Sequence, residues 1–183
     1  MDKILDSGDA TVGGGSASAL AAAMAAGLGG MAARLSAGKN LGLTDAEYFQ
    51  MADRLDVLAG QLVEGSIRDA AAFAEISSAF KLPRAGEAEK SFRAQAVSQA
   101  AVSAASAPLD NAALALELKD LLDQLIGRHN TGAESDLFIG RRFLDVALYG
   151  FAANIRANLG LIKDEAVREK FRLAADELFK KAG

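Results

Sequence analysis

One carboxylate stands where a hydrophobic side chain is expected. Between Thr44 and Phe80, the residues Leu55, Leu58, Leu62, Gly65, Asp69, Ala72 and Ile76 recur at alternating steps of three and four. That is the spacing of side chains facing a neighbouring helix. Asp69 interrupts this seam. A carboxyl group there loses solvent, and unless a cation pairs with it its pKa rises, which suits a proton donor or acceptor. The same position also fits a salt-bridged aspartate that only fixes helix register.

Three other groups of residues can do chemistry. Gly13-Gly14-Gly15-Ser16 precedes an Ala-rich segment. At a helix start it offers free backbone N–H groups and a positive dipole end, which favour an anion or a developing negative charge. Glycine that merely permits a tight entry turn explains the run equally well. It is not a P-loop, because no Gly-Lys-Ser or Gly-Lys-Thr follows it. Lys39 follows Gly38 in a loop and can hold a carboxylate or simply be solvated. Asn130, Ser135 and Asp136 cluster at a loop and helix start, where they can bond a ligand or cap the helix. The single histidine, His129, lies beside them. One histidine and no cysteine rule out a multi-His metal site, Cys-ligated zinc, disulfides and thiol catalysis within one chain. No Gly-x-Ser-x-Gly surrounds any serine. Acid–base work therefore falls to Asp, Glu, Lys or His129.

The elements that must position these residues are helices. Half of the 183 residues are apolar, only 6% are aromatic, and alanine dominates. Thin, closely packed helices fit that composition, so the expected class is all-α, an up-and-down multi-helix bundle in one domain over residues 1–183. Helices are expected over 16–36, 44–80, 87–107, 109–126 and 134–159, with a sixth capped by Asp164. Ser16 or Ser18 is the expected cap of the first, and Pro108 the expected break between the third and fourth. In the first helix Leu20, Met24, Leu28, Met31 and Leu35 form one stripe, and the other faces are Ala and Gly. Residues 10–33 carry no charge but are only weakly hydrophobic, so a buried helix is expected rather than a membrane span. The net charge of −4 and the absence of a one-sided basic face argue against nucleic acid as a partner. No signal-peptide core opens the chain, and a cytoplasmic location is expected.

Four pieces, in order, resemble one family. Val12-Gly13-Gly14-Gly15-Ser16 is similar to its Pro-Gly-Gly-Gly-Ser opening, and Gly38-Lys39 to the basic pair after the first helix. Asp69-Ala70-Ala71-Ala72-Phe73, then Leu82-Pro83-Arg84, resembles its Asp-Ala-x-Ala-Phe and Leu-Pro-Lys. The stretch from His129 through Asn130 to Ser135 and Asp136 resembles its Gly-Asn-x-x-x-x-Ser-Asp, and Asn154 and Asn158 fit a later Asn-containing run. The chain thus resembles the cyclodeaminase/cyclohydrolase family of folate enzymes. Val12, His129 and Arg84 depart from that pattern, standing where the family has proline, glycine and lysine.

The resemblance implies an all-helical homodimer that acts on a reduced folate. It gives Asp69 the acid–base role, and it needs no metal or other cofactor. Gly13, Gly14, Gly15, Ser16, Lys39, Arg84, Asn130, Ser135 and Asp136 become candidate substrate contacts, with Arg93 a further candidate for the folate's glutamate tail. The expected reaction is hydrolysis of 5,10-methenyltetrahydrofolate to 10-formyltetrahydrofolate. The alternative is deamination of 5-formiminotetrahydrofolate with release of ammonia. A rival of another class is a non-catalytic helical assembly or folate-binding module.

Overall fold

The computed structural model describes residues 2–8 and 11–182. A single helical turn, α1 (Asp2–Leu5), precedes five long helices: α2 (Gly14–Ser36), α3 (Asp45–Phe80), α4 (Glu87–Leu125), α5 (Glu134–Leu159) and α6 (Glu165–Lys181). A 3₁₀ turn (Thr131–Ala133) leads into α5. The described residues contain no strand.

Local chemistry accounts for most of the boundaries. Thr44 and Glu47 form a capping box that starts α3. Asp164 accepts a hydrogen bond from the Val167 N–H and starts α6. Gly38 at φ 73° and Asn40 at φ 53° turn the chain between α2 and α3. The side chain of Asp45 accepts from the Gly38 N–H at 2.6 Å, which ties the end of α2 to the start of α3.

Two expectations need correction. Neither Ser16 nor Ser18 caps α2; the N-cap is Gly13, which has no side chain to do so. Pro108 does not break the third helix, because α4 runs unbroken from Glu87 to Leu125. A proline inside a helix leaves the carbonyl four residues earlier without its donor. Here that carbonyl belongs to Ala104, and the Asn158 Nδ2 of α5 donates to it at 3.3 Å. A side chain from another helix thus supplies the missing bond.

α2 lies against α3, α5 and part of α4. Its small faces make this possible: Ala19, Ala22, Ala25, Ala26, Ala32 and Ala33 are all fully buried. Larger residues of the other helices fill the space that remains, with Leu122 and Leu55 meeting at Gly29. The helices alternate in direction. Gly15 of α2 is beside Asp69 late in α3, and Gly14 is beside Asn154 late in α5. The seam of α3 is buried as its spacing requires, from Leu55 through Ile76, with Asp69 alone half-exposed.

The Leu/Met stripe of α2 is the exception to this packing. Met24, Met31 and Leu35 remain 41%, 39% and 48% exposed, and Leu20 and Leu28 are only half-buried. α2 therefore packs by its small faces and turns its large side chains outward. By length and composition α2 is apolar enough to cross a membrane, and 67% of its most apolar window is buried within the bundle.

Candidate active site

The start of α2 presents its first backbone N–H groups without a side-chain cap. Asp69 reaches across from α3 to meet them. Its carboxyl accepts from the Ser16 backbone N–H, and the Ser16 Oγ lies 2.9 Å from Asp69 Oδ2. The seam spacing is what aims Asp69 at α2, and Gly15 is what lets it arrive. A Cβ at Gly15 would sit 2.2 Å from Asp69 Oδ1 and 2.6 Å from both Cγ and Oδ2.

Ser16 is 1% exposed, and its hydroxyl has two acceptors at 2.9 Å, Asp69 Oδ2 and the Ser66 carbonyl. One hydroxyl carries one proton. When Asp69 is ionised, Ser16 can donate to it. When Asp69 is protonated, the carboxyl can donate to Ser16 Oγ and Ser16 to the Ser66 carbonyl. Both protonation states therefore have a complete hydrogen-bond arrangement.

Loss of solvent raises the Asp69 pKa, and the hydrogen bonds from Ser16 oppose that rise in part. No salt bridge among the described residues involves Asp69, so the register-setting ion pair considered above is absent there.

A cavity of about 230 Å³ opens beside this carboxyl. Gly13, Gly14 and Gly15 form one wall, Asp69 and Phe73 another, and Ala104, Asn154 and Asn158 the rest. Asn154 donates its amide to the Gly150 carbonyl at 2.8 Å, and Asn158 donates to the Asn154 and Ala104 carbonyls at 2.9 and 3.3 Å. These bonds use both hydrogens of the Asn158 amide and one of the two on Asn154, so Asn154 keeps one N–H donor and both side chains keep an oxygen acceptor in a cavity lined by no cation. Phe73, one turn after Asp69, adds an apolar surface. The cavity is smaller than the roughly 300–1,000 Å³ of a usual small-molecule site, so it fits a head group rather than a long ligand.

The sequence candidates divide between places in the fold. Gly13, Gly14, Gly15 and Asp69 line the cavity, whereas Ser16 is buried behind Asp69 and holds it. Lys39, Asn130, Ser135 and Asp136 lie toward the far end of α2, about 35 Å from Gly13 along a helix of this length. The Asn130 N–H donates to Ser36 Oγ at 2.8 Å, and its amide to the Leu35 carbonyl at 3.0 Å. Ser135 is exposed and Asp136 half-buried in the first turn of α5. His129 lies at this same end, with Nδ1 3.0 Å from the Leu125 carbonyl and the ring edge-on to Phe138.

Arg84 is exposed in the turn between α3 and α4 and does not line the cavity. Arg93 is engaged elsewhere, bonding the Phe80 carbonyl from Nε and Nη2 and covering the Phe80 ring. Asn154, Asn158 and Phe73 are cavity residues that spacing did not single out. Their only signal was that the motifs resembling the family contain them.

These features define an all-helical bundle with one sheltered carboxyl over the uncapped start of an inner helix. The model of the formiminotransferase-cyclodeaminase family matches residues 2–177, and the chain belongs to that family. Over 174 residues it is 30% identical to the formimidoyltransferase-cyclodeaminase of Gallus gallus, covering 94% of this chain and 32% of that protein. The chain thus spans about a third of that relative's length. It is 28% identical to the methenyltetrahydrofolate cyclohydrolase of Methylorubrum extorquens, covering 94% of this chain and 84% of that one. The crystal structure of formiminotetrahydrofolate cyclodeaminase from Thermotoga maritima shares the fold, with a TM-score of 0.80 at 23% identity over 94% of this chain and 82% of that one.

Proposed function

We propose that this protein is a folate one-carbon enzyme that hydrolyses 5,10-methenyltetrahydrofolate to 10-formyltetrahydrofolate, with Asp69 as its acid–base group. One observation carries the reading. In a chain of this family, a half-buried carboxyl with a raised pKa and no cationic partner faces a cavity of head-group size. The relative named as a cyclohydrolase is matched over 84% of its own length.

In this mechanism the substrate's cationic one-carbon bridge lies over Asp69. The carboxylate takes a proton from water as the water oxygen bonds to the methenyl carbon. This leaves a neutral carbon bearing a hydroxyl between N5 and N10. The carbon–N5 bond then breaks, N5 takes the proton held by Asp69, and the hydroxyl proton leaves to solvent. The formyl group remains on N10. A positioned acid–base group of this kind contributes on the order of 10²–10⁴ in rate. Phe73 covers one face of the pterin, the Gly13–Gly15 amides bond an acceptor on it, and Asn154 and Asn158 accept from its N–H groups. No metal, nucleotide or nucleic acid takes part. The protein works in the cytoplasm as a homodimer, and the outward stripe of α2 is the surface that supports pairing.

The same cavity favours a second reaction on one point. Asp69 and the two Asn oxygens make an acceptor-rich wall suited to departing ammonia as it becomes ammonium. Deamination of 5-formiminotetrahydrofolate, with Asp69 as the proton donor, is the alternative. The test is to follow the methenyl chromophore at neutral pH. Saturable decay well above the uncatalysed rate is expected. No acceleration with the methenyl compound, but ammonia released from the formimino compound, would replace the first reaction with the second. Failure with both would leave the non-catalytic module.

A further inference from the structure

No cation lines the Asp69 cavity, yet the arm of a folate ends in glutamate carboxylates. The seam between α3 and α4 leads from that cavity to a cation. Asp69 of α3 and Ala104 of α4 both line the cavity. Phe80 lies eleven residues further along α3, and Arg93 eleven residues earlier on antiparallel α4, where the two touch. Eleven residues make about three turns, so each helix returns to its cavity-facing side about 16 Å away. The strip between is apolar. Phe73 and Phe80, two turns apart on α3, are 47% and 43% exposed. Ile76, Val97 and Ala100 are buried between the two helices, with Leu161 packed against their cluster.

Arg93 closes this strip with donors to spare. Its Nε and Nη2 donate to the Phe80 carbonyl at 3.1 and 2.9 Å, and its guanidinium lies 5.4 Å from the centre of the Phe80 ring. Those contacts fix the group in place but use only two of its five N–H donors. No salt bridge among the described residues involves it. The two carboxylates within residues 81–93 are taken. Glu87 pairs with Lys90 at 2.6 Å, and Glu89 accepts from the Ala85 and Gly86 N–H groups at the start of α4. Lys81 and Arg84 stand exposed in the same turn, so positive charge is in excess here on a chain of net charge −4. A planar guanidinium held at the end of an apolar strip suits a carboxylate.

We propose that the strip holds the p-aminobenzoylglutamate arm of the substrate, with the benzoyl ring between Phe73 and Phe80 and a glutamate carboxylate on Arg93. This rests on the folate reading above and adds where the arm of that ligand lies. The extended arm is about as long as four extended residues, about 14 Å. A carboxylate therefore reaches the guanidinium while the one-carbon bridge stays over Asp69. The cavity, of about 230 Å³, is left to the pterin alone.

Two substrates with the same reacting centre separate the arm from the chemistry: 5,10-methenyltetrahydrofolate and 5,10-methenyltetrahydropteroate, which lacks the glutamate. Wild type should have a KM about fivefold lower for the folate, the effect of one half-exposed ion pair. Raised salt should narrow that difference. Arg93→Gln should erase it by raising the folate KM alone, with kcat unchanged, and Arg93→Lys, which keeps the charge, should restore part of it. Lys90→Gln, which removes a nearby but already paired charge, should preserve it. Equal KM values in wild type would overturn the site. So would an Arg93→Gln that raises both KM values alike, as mere loss of its hold on Phe80 would, or the same loss in Lys90→Gln. If wild type turns over neither compound, the functional reading falls, and equilibrium binding of tetrahydrofolate against tetrahydropteroate decides the strip. Tighter binding of the folate, lost in Arg93→Gln, sustains it; equal affinity overturns it.

Discussion

Gly15→Ala isolates the contact that shelters Asp69. The added methyl would lie 2.2 Å from the nearest carboxyl oxygen. Restoring an ordinary contact of 3.4 Å needs a displacement of about 1.2 Å, and a misplacement near 1 Å can cost about 10² in rate. α2 is fixed by its buried alanines, so the carboxyl is the part that moves. It then gives up the hydrogen bonds from Ser16, which serve as the N-terminal cap that Gly13 cannot provide. Losing such a cap costs about 0.5–2 kcal/mol, offset by up to about 1 kcal/mol from alanine's better helix propensity. The expected result is therefore a small stability loss, about 1 kcal/mol by urea unfolding, with kcat for the methenyl substrate reduced about a hundredfold. Gly13→Ala is the matched control. A Cβ there meets nothing within 4 Å, and the backbone φ of −122° suits alanine. Its activity and stability should match wild type. If Gly15→Ala kept wild-type kcat, the position of Asp69 would not limit the chemistry, and this reasoning would fail.

Two further predictions concern the cavity's supports. The folded-state pKa of Asp69 is raised above its unfolded value, so the stability it contributes is fully present below the unfolded pKa and is lost as pH rises through the folded one. Wild type should therefore lose stability relative to Asp69→Asn as pH climbs from about 4 toward neutrality, and thermal melts of the two in parallel would show it; curves that stay parallel would contradict the raised pKa. Asn158→Leu removes the side-chain donor that replaces the missing N–H at the Ala104 carbonyl and should cost about 1–3 kcal/mol in urea unfolding. Adding Pro108→Ala, which restores the helix's own N–H, should recover part of that loss; simple additivity of the two changes would refute the coupling.

How much was legible in the sequence depends on the range of the physics involved. The α3 seam and Asp69 were readable because a step of three and four projects directly onto one helix face. The glycine run was readable as an opening of α2, but its partner was not. A trans-cap by a carboxylate 53 residues away leaves no local mark, so Ser16 and Ser18 looked like the natural caps. Pro108 likewise announced a missing N–H without revealing that Asn158 would replace it, and two helices were expected where one forms. The separation of Lys39 from Gly13 was calculable, since both flank the same long helix. Which face of α2 turns outward was not, because alanine-rich faces and a leucine stripe can each serve as the packing side, and the neighbouring helices decide between them.

In the proposed reaction one carboxyl moves the protons, and replacing it with its neutral isostere tests that most directly. Asparagine at position 69 keeps the size and can still accept from Ser16, so folding and folate binding should persist. Single-turnover decay of the methenyl chromophore should slow by at least about 10²-fold in Asp69→Asn, with the substrate Kd within a few-fold of wild type. Wild-type decay in that variant, with binding intact, would mean that Asp69 only caps α2 and that the chemistry lies elsewhere.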